Sequence, residues 1–533
     1  MTGTRKRVPV FLYEAREVPY NTPVFMALDD IIKGRLAKRA HLATRDEYPY
    51  PLHTKRTHSI TEALGAFDAL AKGEEEVSLA GRLMALREHG ALTFATLSSA
   101  GVSIQLAFKE DSLGAEAYKR VAETLDLGDF VSATGILFTT NRGERTLEVR
   151  SFNIISKALR PLPEKWHGLK DVDERYRRRY LDLLMNEEVR RIFETRETIM
   201  RTVREFLLEK DFREVETPML QAIAGGTAAK PFKTHLNAFD MDMYLRIAPE
   251  LYLKRLLVGG YDKVFELGRN FRNEGVDFSH NPEFTMLEFY QAYSDYKEGM
   301  KLTEEMVSRI IEKTIGETTH TFEDVEVDFT APWERIEFNE LLQKFAQVNY
   351  EDYTFEGLRD RAIELEVKIG KDVYSKAQVA DAIYKKYCLP KIVNPTFVIH
   401  HPSEMLPLAK QLPDRPQYAG SFQLIIAGWE LVKAYSELND PVLQREAFKA
   451  QEELRKKGDP EAHTMDEDFV EALEYGMPPA FGLGMGIDRI ATFLSGAHAL
   501  REVILFPTMR PVRNDEGAQS GPISNGMKPK DSD

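Results

Sequence analysis

The segment between residues 264 and 290 constrains the fold of this chain more than any other. Val264–Leu267 and Met286–Tyr290 have the apolar content of strands, and the Gly, Asp, Ser, Asn and Pro residues between them favour turns. The segment is therefore predicted to be a β-hairpin with a long loop. It gathers an unusual amount of charge, carried by Arg269, Arg272, Glu274 and Glu288. Surface salt bridges are one explanation, but charge concentrated beside apolar strands favours a site for a charged ligand.

Length, charge and cysteine content set the broad class of the protein. The 533 residues are enough for several domains, and the net charge of −14 argues against a protein covered by nucleic acid, although it permits a local basic face. Cys388 is the single cysteine, which rules out an intramolecular disulfide and fits the reducing cytoplasm. The sequence has no run of about 18 apolar residues, so we expect no membrane span and a cytoplasmic location.

Residues 1–75 are interpreted as an N-terminal extension with a basic helix. Residues 1–60 contain 11 Lys or Arg against 6 Asp or Glu, a local balance of +5. Apolar residues recur at helical spacing between Leu28 and Leu42, with lysines and arginines among them. This basic face either is solvated or contacts an RNA backbone. Residues 1–25 show no periodicity, and we expect them to be weakly structured.

Residues 76–160 are predicted to form an OB-fold, which is a small five-stranded barrel. Such barrels often bind single-stranded nucleic acid through strands 2 and 3. Phe94 on strand 2 is a candidate for stacking on a base, and Gln105 and Glu144 are candidates for hydrogen bonds to base edges. An ordinary core or turn role is the alternative for each. The strands are expected at 77–87, 92–98, 102–108, 130–140 and 145–155, with a helix at 115–125.

A linker at 161–185, marked by prolines and a glycine, precedes a long helix. Its basic cluster, Arg175–Arg179, is a candidate contact for a nucleic-acid stem. From Asn186 onward, apolar residues up to Leu207 recur on one face of a helix, and residues 212–220 follow as a strand. Taken alone, this pattern is explained by core packing.

The region from 300 to 420 is predicted to be mostly helical, as an insertion or outer layer of a larger domain at 186–510. His400 and His401 follow an apolar strand in this region. Neighbouring residues of a strand point to opposite faces, so a structural role is favoured over a shared metal. Residues 511–533 have the composition of a disordered tail.

A glycine-rich run closes the second domain. Gly482–Gly486 precedes a helix that is expected to begin near Ile487, with Arg489 in its first turn. Glycine permits close approach of the backbone, and a helix N-terminus favours anions. The run is weak evidence alone and becomes stronger beside the charged hairpin.

Three of these segments resemble the three motifs of class II aminoacyl-tRNA synthetases. The hairpin, with Phe271-Arg272-Asn273-Glu274 and then Phe284, resembles motif 2. The helix and strand at 186–220 resemble motif 1, and the run ending at Arg489 resembles motif 3. The resemblance implies an α+β protein with an N-terminal OB-fold β-barrel, then an antiparallel-sheet catalytic domain with helical layers. It also implies a homodimer formed through 186–220.

The resemblance assigns an ATP site to the second domain. Arg272 would bind the α-phosphate and Arg489 the γ-phosphate, and both are implied to be catalytic. Phe284 would stack on adenine. The other residues implied to bind ATP are Glu274, His280, Asn281 and Glu430.

The pocket residues narrow the resemblance to lysyl-tRNA synthetases, the lysine-specific members of subclass IIb, over roughly residues 27–510. A site for a cationic side chain should present carboxylates. The implied lysine-binding residues are Gly226 and Glu250 at the α-amino group, Tyr290, Glu437 and Glu288 around the ε-ammonium, and Arg272. Phe94, Gln105 and Glu144 match the positions that read the central anticodon uridine in that family.

Two departures from the family pattern leave details open. Glu430 matches a glutamate that binds Mg²⁺ on the ATP phosphates, but Gln423 stands where a second such glutamate is usual. Val432-Lys433-Ala434 replaces a Gly-Asn-Gly sequence whose Asn contacts the lysine carboxylate. We expect Lys433 to serve that carboxylate and to lie away from Glu437, because like charges repel.

The implied function is ATP-dependent activation of L-lysine and its transfer to the 3′ end of tRNA(Lys), with Mg²⁺ as cofactor. One alternative is a ligase that lysylates an acceptor other than tRNA. The other is a catalytically silent RNA-binding paralogue, which the presence of Arg272, Glu274 and Arg489 disfavours.

Overall fold

The structure is a computed structural model that describes residues 28–45, 47–163, 171–278, 280–370, 373–458 and 462–511. The chain divides into two compact units, Met1–Glu187 and Glu188–Asp533. The expectations for residues 1–25 and for the tail beyond 511 fall outside the described residues. In the described part of the chain, no helix is both long enough and apolar enough to cross a membrane.

The first unit is built on a closed five-stranded barrel in the order β1-β2-β3-β5-β4. Its strands are β1 (Glu76–His89), β2 (Leu92–Ser99), β3 (Val102–Lys109), β4 (Phe130–Thr139) and β5 (Arg145–Ser156). Its helices are α1 (Leu28–Thr44), α2 (Ile60–Gly65), α3 (Phe67–Lys72), α4 (Glu110–Leu113), α5 (Ala115–Thr124), α6 (Val172–Arg177) and α7 (Arg179–Met185). The predicted OB-fold is confirmed, and each predicted strand and the helix α5 lie within about two residues of their expected bounds.

Two basic residues of the helix α1, Arg35 and Lys38, attach it to neighbouring parts of the first unit. The Arg35 guanidinium is buried and donates to the carbonyl oxygens of Ala158 and Arg160 at 2.8 and 3.0 Å. Lys38 forms an ion pair of 2.9 Å with Asp126. These two cations therefore serve packing, whereas Lys33 remains exposed.

One detail of the first unit corrects the expectations. It lies in the predicted linker, where residues 172–177 and 179–185 form the helices α6 and α7. Arg179, placed in the candidate RNA-contacting cluster, is buried and its Nη1 donates to Asp182 at 2.6 Å. A buried, paired guanidinium cannot reach a phosphate, so Arg179 does not belong to the candidate RNA-contacting cluster.

The second unit is built on an eight-stranded sheet in the order β14-β15-β18-β19-β20-β11-β10-β6. The pairs β14·β15 and β10·β6 are parallel and the central pairs are antiparallel. Its strands are β6 (Arg213–Glu214), β7 (Leu220–Gln221), β8 (Lys233–Leu236), β9 (Met241–Leu245), β10 (Lys263–Phe271), β11 (Glu283–Ala292), β12 (Thr319–Phe322), β13 (Val325–Asp328), β14 (Glu334–Glu337), β15 (Thr396–Ile399), β16 (Gln411–Leu412), β17 (Arg415–Ala419), β18 (Ser421–Ile426), β19 (Trp429–Ser436) and β20 (Ala480–Gly486).

Helices cover this sheet and form the α+β architecture that was predicted. They are α8 (Glu187–Glu209), α9 (Glu250–Val258), α10 (Tyr296–Thr314), α11 (Phe338–Ala346), α12 (Phe355–Glu364), α13 (Lys376–Tyr387), α14 (Pro441–Lys456), α15 (Glu467–Glu474) and α16 (Ile487–Ser495). The apolar face of α8 packs Ile199, Val203 and Phe206 into the main core. The long helix and the helix beginning at Ile487 are confirmed.

Two predictions for the second unit were wrong in detail. Residues 212–220 do not form one strand: β6 and β7 belong to different sheets, and Pro218, which has no amide proton, lies between them. The region from 300 to 420 is not mostly helical, because it contains β12 to β17, of which β14 and β15 extend the main sheet. These strands are two to five residues long, too short to give a clear alternating pattern.

The adjacent histidines take part in structural contacts. His400 follows β15 with φ 58°, and its ring contacts the Tyr296 hydroxyl and the Glu337 carboxylate, both at 2.9 Å. The His401 side chain is buried against Phe338. Among the described residues no group of three or more His, Cys, Asp or Glu could hold a metal ion.

Candidate active site

The charged hairpin is the β10–β11 pair, and it forms part of the floor of a large cavity. The pair runs in register from Val264 opposite Tyr290 to Phe271 opposite Glu283, further than the sequence predicted. β20 lies beside β11, and β19 lies beside β20. The cavity has a volume of about 1290 Å³.

Glycines on β20 make room for the side chains that cross this floor. A Cβ atom on Gly482 would lie under 3.0 Å from Glu437 Oε1 and Tyr290 Cε1. A Cβ atom on Gly484 would lie 2.5 Å from the Cε of Met286. The glycine run therefore keeps space for neighbouring side chains, a role that its resemblance to motif 3 did not predict.

A β-bulge brings the polar residues of β19 onto the cavity side of the sheet. Gln423 pairs with Lys433, but the register shifts so that Ile425 pairs with Glu430. Paired residues share a face, and so do residues two apart on one strand. Glu430 and Lys433 therefore face the same side despite their odd spacing, and both line the cavity.

One end of the cavity concentrates carboxylates around a buried lysine. Lys254 is fully buried, and its Nζ contacts Glu250 Oε1 at 2.7 Å and pairs with Glu437 Oε2. The Tyr435 hydroxyl donates to the same Glu250 oxygen at 2.8 Å. The Tyr290 hydroxyl donates to Glu288 Oε2 at 3.1 Å.

Burial governs the ionisation of these groups. It raises the pKa of Glu288 to about 8, with a further contribution from the charge of Glu250. It also raises the pKa of Glu437 well above its usual value, an effect that the charge of Lys254 opposes. Burial alone would lower the pKa of Lys254, but the charges of Glu250 and Glu437 outweigh it and raise that pKa. Lys254 and the two carboxylates therefore compensate one another's charge.

The other end of the cavity presents two arginines. The Arg272 guanidinium lies 5.0 Å from the centroid of the Phe284 ring. Arg489 on α16 donates from Nη1 to the Glu430 carbonyl oxygen at 3.0 Å. His280 contacts Asp277 at 3.0 Å, and Asn281 donates to the Glu283 carbonyl oxygen at 2.6 Å. This end can receive a polyanion, with a flat aromatic ring beside it.

The structure brings the sequence-predicted pocket residues together. The following line the one cavity: Gly226, Glu250, Arg272, Glu274, His280, Asn281, Phe284, Glu288, Tyr290, Glu430, Lys433, Glu437 and Arg489. Gly226 has φ 95°, a conformation that glycine adopts readily, and a Cβ there would meet those of Ala248 and Glu250 at 3.1 Å.

Glu430 is the candidate metal ligand, and its neighbour is the departure at Gln423. Gln423 Nε2 donates to Glu430 Oε2 at 2.8 Å, and its buried Oε1 has no hydrogen-bond partner among the described residues. Mg²⁺ in nucleotide sites is commonly held by one or two carboxylates together with phosphate oxygens. This donor set fits an ion shared with a nucleotide, and not an ion enclosed by protein ligands.

Two residues of the cavity escaped the sequence reasoning. Lys254 lies four residues after Glu250, and this spacing on a helix is a signal that could have found the pair. His463 lines the cavity, and burial lowers its pKa to about 4. No sequence pattern distinguishes His463 from an ordinary histidine.

The barrel of the first unit carries a separate candidate surface. Phe94 is half-buried and lies outside the barrel core, so a core role does not describe it. On β3, Gln105 lies opposite Thr96, which is two residues after Phe94 on β2. The Gln105 Oε1 accepts a hydrogen bond from the Thr146 hydroxyl at 2.8 Å. Glu144 is exposed in the last hairpin. Arg87, which the sequence reasoning missed, is exposed directly opposite Phe94 on β1.

Comparison with known proteins agrees with this geometry. Residues 171–510 match the family model of tRNA synthetases class II (D, K and N), and residues 77–155 match the OB-fold nucleic acid binding domain. A lysine–tRNA ligase of Carboxydothermus hydrogenoformans is 48% identical over 91% of this chain and 99% of its own length. Lysine–tRNA ligases of Moorella thermoacetica, 48% identical over 91% and 99%, and of Clostridium tetani, 46% identical over 91% and 97%, are similar to it as well. This chain belongs to the class II tRNA synthetases, in the lysine–tRNA ligase family.

Proposed function

We propose that this protein activates L-lysine with ATP to form lysyl-adenylate and then transfers the lysyl group to the 3′ end of tRNA(Lys). The observation that carries the proposal is that one cavity is lined both by three buried glutamates, Glu250, Glu288 and Glu437, and by the arginines Arg272 and Arg489. The glutamates fit an amino acid with two ammonium groups, and the arginines fit a nucleoside triphosphate.

Lysine recognition rests on the carboxylates. Glu437 and Tyr290 receive the ε-ammonium, with Glu288 beside them. Gly226 and Glu250 receive the α-ammonium. Glu437 Oε1 supports this role, because it is buried, lines the cavity and has no hydrogen-bond partner among the residues that the structure describes. A buried carboxylate oxygen without a partner is costly, and a bound ammonium removes that cost.

ATP binding rests on the opposite end. Phe284 stacks on adenine, Arg272 binds the α-phosphate and also approaches the lysine carboxylate, and Arg489 binds the γ-phosphate. Glu274, His280 and Asn281 orient the nucleotide. Glu430 would hold Mg²⁺, which supplies positive charge to the phosphates when bound.

Catalysis in this arrangement depends on positioning and charge neutralisation. The lysine carboxylate attacks the α-phosphorus and pyrophosphate leaves, so two anions must approach each other. Arg272 lies where negative charge develops, and Arg489 lies where the leaving group departs. No general base is required, because the attacking carboxylate is already ionised.

Lys433 takes the place that the family gives to an asparagine. It lies on β19 opposite Gly484, four residues before Glu437, which is about 13 Å along a strand. Its ammonium is thereby kept away from the substrate ε-ammonium and is close enough to the centre of the cavity for the substrate carboxylate. A charge-assisted hydrogen bond replaces a neutral one.

The barrel is proposed to read the anticodon. Phe94 stacks on a base, Gln105 and Glu144 bond base edges, and Arg87 is positioned to bind a neighbouring phosphate. An RNA-binding surface on the barrel favours tRNA as acceptor over a protein acceptor.

Assembly and location are further parts of the proposal. A homodimer through 186–220 is supported by Leu208, Met219 and Leu220, which are 54%, 46% and 46% exposed in one chain. Burial of such apolar side chains between subunits is favourable. The proposed substrates place the activity in the cytoplasm.

The test replaces the α-phosphate ligand. Arg272→Ala should reduce lysine-dependent ATP–pyrophosphate exchange about a hundredfold or more, because it removes a charge-assisted contact at the developing charge. Thermal unfolding should show that the variant remains folded. Exchange near the wild-type rate would overturn the assignment of Arg272.

Charging assays with the wild-type protein separate the alternatives. Exchange together with acylation of tRNA(Lys) supports the ligase, exchange without acylation points to another acceptor, and tRNA binding without exchange points to a silent paralogue.

A further inference from the structure

Lys254 is a buried cation that pairs with two carboxylates of the cavity and that no proposed substrate contact explains. Its side chain is fully buried on α9, and its Nζ bridges Glu250 Oε1 and Glu437 Oε2. A lysine is rarely buried unless it is paired, and here both partners are the carboxylates proposed to bind the substrate. The protein's own ammonium therefore lies beside the place proposed for the substrate's ammonium.

Lys254 contacts one oxygen of each carboxylate, Oε1 of Glu250 and Oε2 of Glu437. Glu250 Oε1 accepts from both Lys254 and the Tyr435 hydroxyl. Glu437 Oε1 lies on the side of Gly482 and Tyr290, where a Cβ on Gly482 would collide with it. Lys254 thus holds one oxygen of each glutamate, and Glu437 Oε1 is left without a hydrogen-bond partner among the described residues.

The charges of the pocket fit this arrangement. Five ionisable groups interact electrostatically with Glu437 or Lys254: Glu250, Glu288, Tyr290, Tyr435 and His463. Lys433 interacts in the same way with His463. Glu288, with a pKa of about 8, is mostly protonated at neutral pH, the two tyrosines are neutral because burial raises their pKa, and His463 is neutral. Lys254 then supplies a positive charge in direct contact with both Glu250 and Glu437.

We propose that Lys254 is a specificity-determining positioning residue, which pairs with one oxygen each of Glu250 and Glu437 and so orients both carboxylates toward an amino acid with a side-chain ammonium. The inference rests on the proposed function and deepens it. Lys254 acts through the two glutamates and does not touch the reacting atoms.

Loss of the Lys254 charge should raise the pKa of Glu437. Burial raises the pKa of Glu437, and the Lys254 charge counteracts the rise. Without Lys254 the pKa of Glu437 rises further, the carboxyl group is protonated at higher pH, and the substrate ammonium loses its partner. The acid limb of kcat/KM for lysine must therefore move to higher pH.

The experiment compares Lys254→Met and Lys254→Arg in ATP–pyrophosphate exchange over a range of pH. We expect Lys254→Met to move the acid limb upward by about one to three pH units, the usual effect of losing an adjacent opposite charge. The lysine KM at pH 7 should rise roughly tenfold or more, since each unit of pKa corresponds to a factor of ten. The KM for ATP should stay within about twofold. Lys254→Arg should restore most of the pH profile.

A matched control removes another buried lysine. Lys157 in the barrel is also fully buried and bridges two carboxylates, Asp126 at 2.5 Å and Asp129 at 2.7 Å. Lys157→Met should lower the melting temperature but leave the lysine KM and the pH profile unchanged. If Lys254→Met does not fold, Lys254→Gln removes the same charge while keeping one hydrogen-bond donor.

The outcomes are distinct. Wild-type exchange with lysine and an unmoved acid limb in the neutral variants would overturn the role of Lys254 and leave the proposed function intact. Equal shifts in the Arg and neutral variants would also overturn it, because charge would then not matter. A wild-type protein that ignores lysine would overturn the proposed function itself, and this inference with it.

Discussion

At the scale of residues, the cavity is explained by carboxylates and arginines that line the same space. Glu250, Glu288 and Glu437 are buried where an ammonium is proposed to bind, while Arg272 and Arg489 lie where phosphates are proposed to bind. Buried charges are costly unless they are paired. Lys254 pairs two of the glutamates, and protonation relieves the third, because burial raises the pKa of Glu288 to about 8. Both effects lower the cost of burying the three glutamates, and Glu437 Oε1 still has no hydrogen-bond partner among the described residues.

Glu437→Gln tests side-chain recognition. The change keeps the volume and removes the charge that faces the ε-ammonium, so kcat/KM for lysine should fall by a factor of about a hundred, as expected for a buried charged hydrogen bond. The KM for ATP should change little. Steady-state exchange with each substrate varied in turn measures both values, and equal damage to both would assign Glu437 to the fold instead.

At the scale of elements, the central strands position the site residues through their alternating side-chain directions, one β-bulge and a glycine that leaves space for its neighbours. The bulge in the β18–β19 pair turns Glu430 to the face of Lys433, and Gly482 leaves space for Tyr290 and Glu437 to meet across β20. Neither the bulge nor Gly482 is itself proposed to contact a substrate. Element geometry therefore limits which substitutions the site tolerates.

Gly482→Ala should abolish lysine-dependent exchange, because the new methyl group would overlap Glu437 Oε1 and the Tyr290 ring. Overpacking of this kind typically costs about 1–3 kcal/mol of stability. Gly357→Ala is the control, since its nearest neighbour, Thr354 Oγ1, lies at an ordinary 3.5 Å. A Gly482→Ala enzyme with normal lysine kcat/KM would mean that the strand adjusts and that the glycine is not required for space.

The sequence predicted the elements with strong local signals and missed those without them. The barrel strands alternate cleanly and lie between turn residues, so they were found with near-correct bounds. β14 and β15 are four residues long and take their place in the sheet from partners far along the chain. The bulge in β19 and the burial of Lys254 depend on tertiary packing, which no local pattern encodes. Motif residues were found through resemblance, and their supporting residues were not.

At the scale of the whole molecule, two units divide the proposed work. The barrel unit holds the proposed anticodon surface, and the sheet unit holds the proposed activation site. A substitution in the first unit should then affect charging without affecting activation. This separation makes the roles of the units independently measurable.

Phe94→Ala tests this division of roles. The variant should lower kcat/KM for tRNA charging by the value of one stacking contact, about 1–3 kcal/mol. ATP–pyrophosphate exchange without tRNA should be unchanged, since Phe94 lies outside the barrel core. A parallel loss of exchange would show instead that Phe94 supports the fold.

The most direct measurement of the central claim is ATP–pyrophosphate exchange by the wild-type protein with each of the standard amino acids in turn. The carboxylate-rich cavity predicts that L-lysine supports the fastest exchange, and that arginine and the neutral amino acids are poor substrates. Exchange with another amino acid and none with lysine would contradict the lysine assignment while leaving the class II chemistry intact. Absence of exchange with every amino acid would contradict the enzymatic account as a whole.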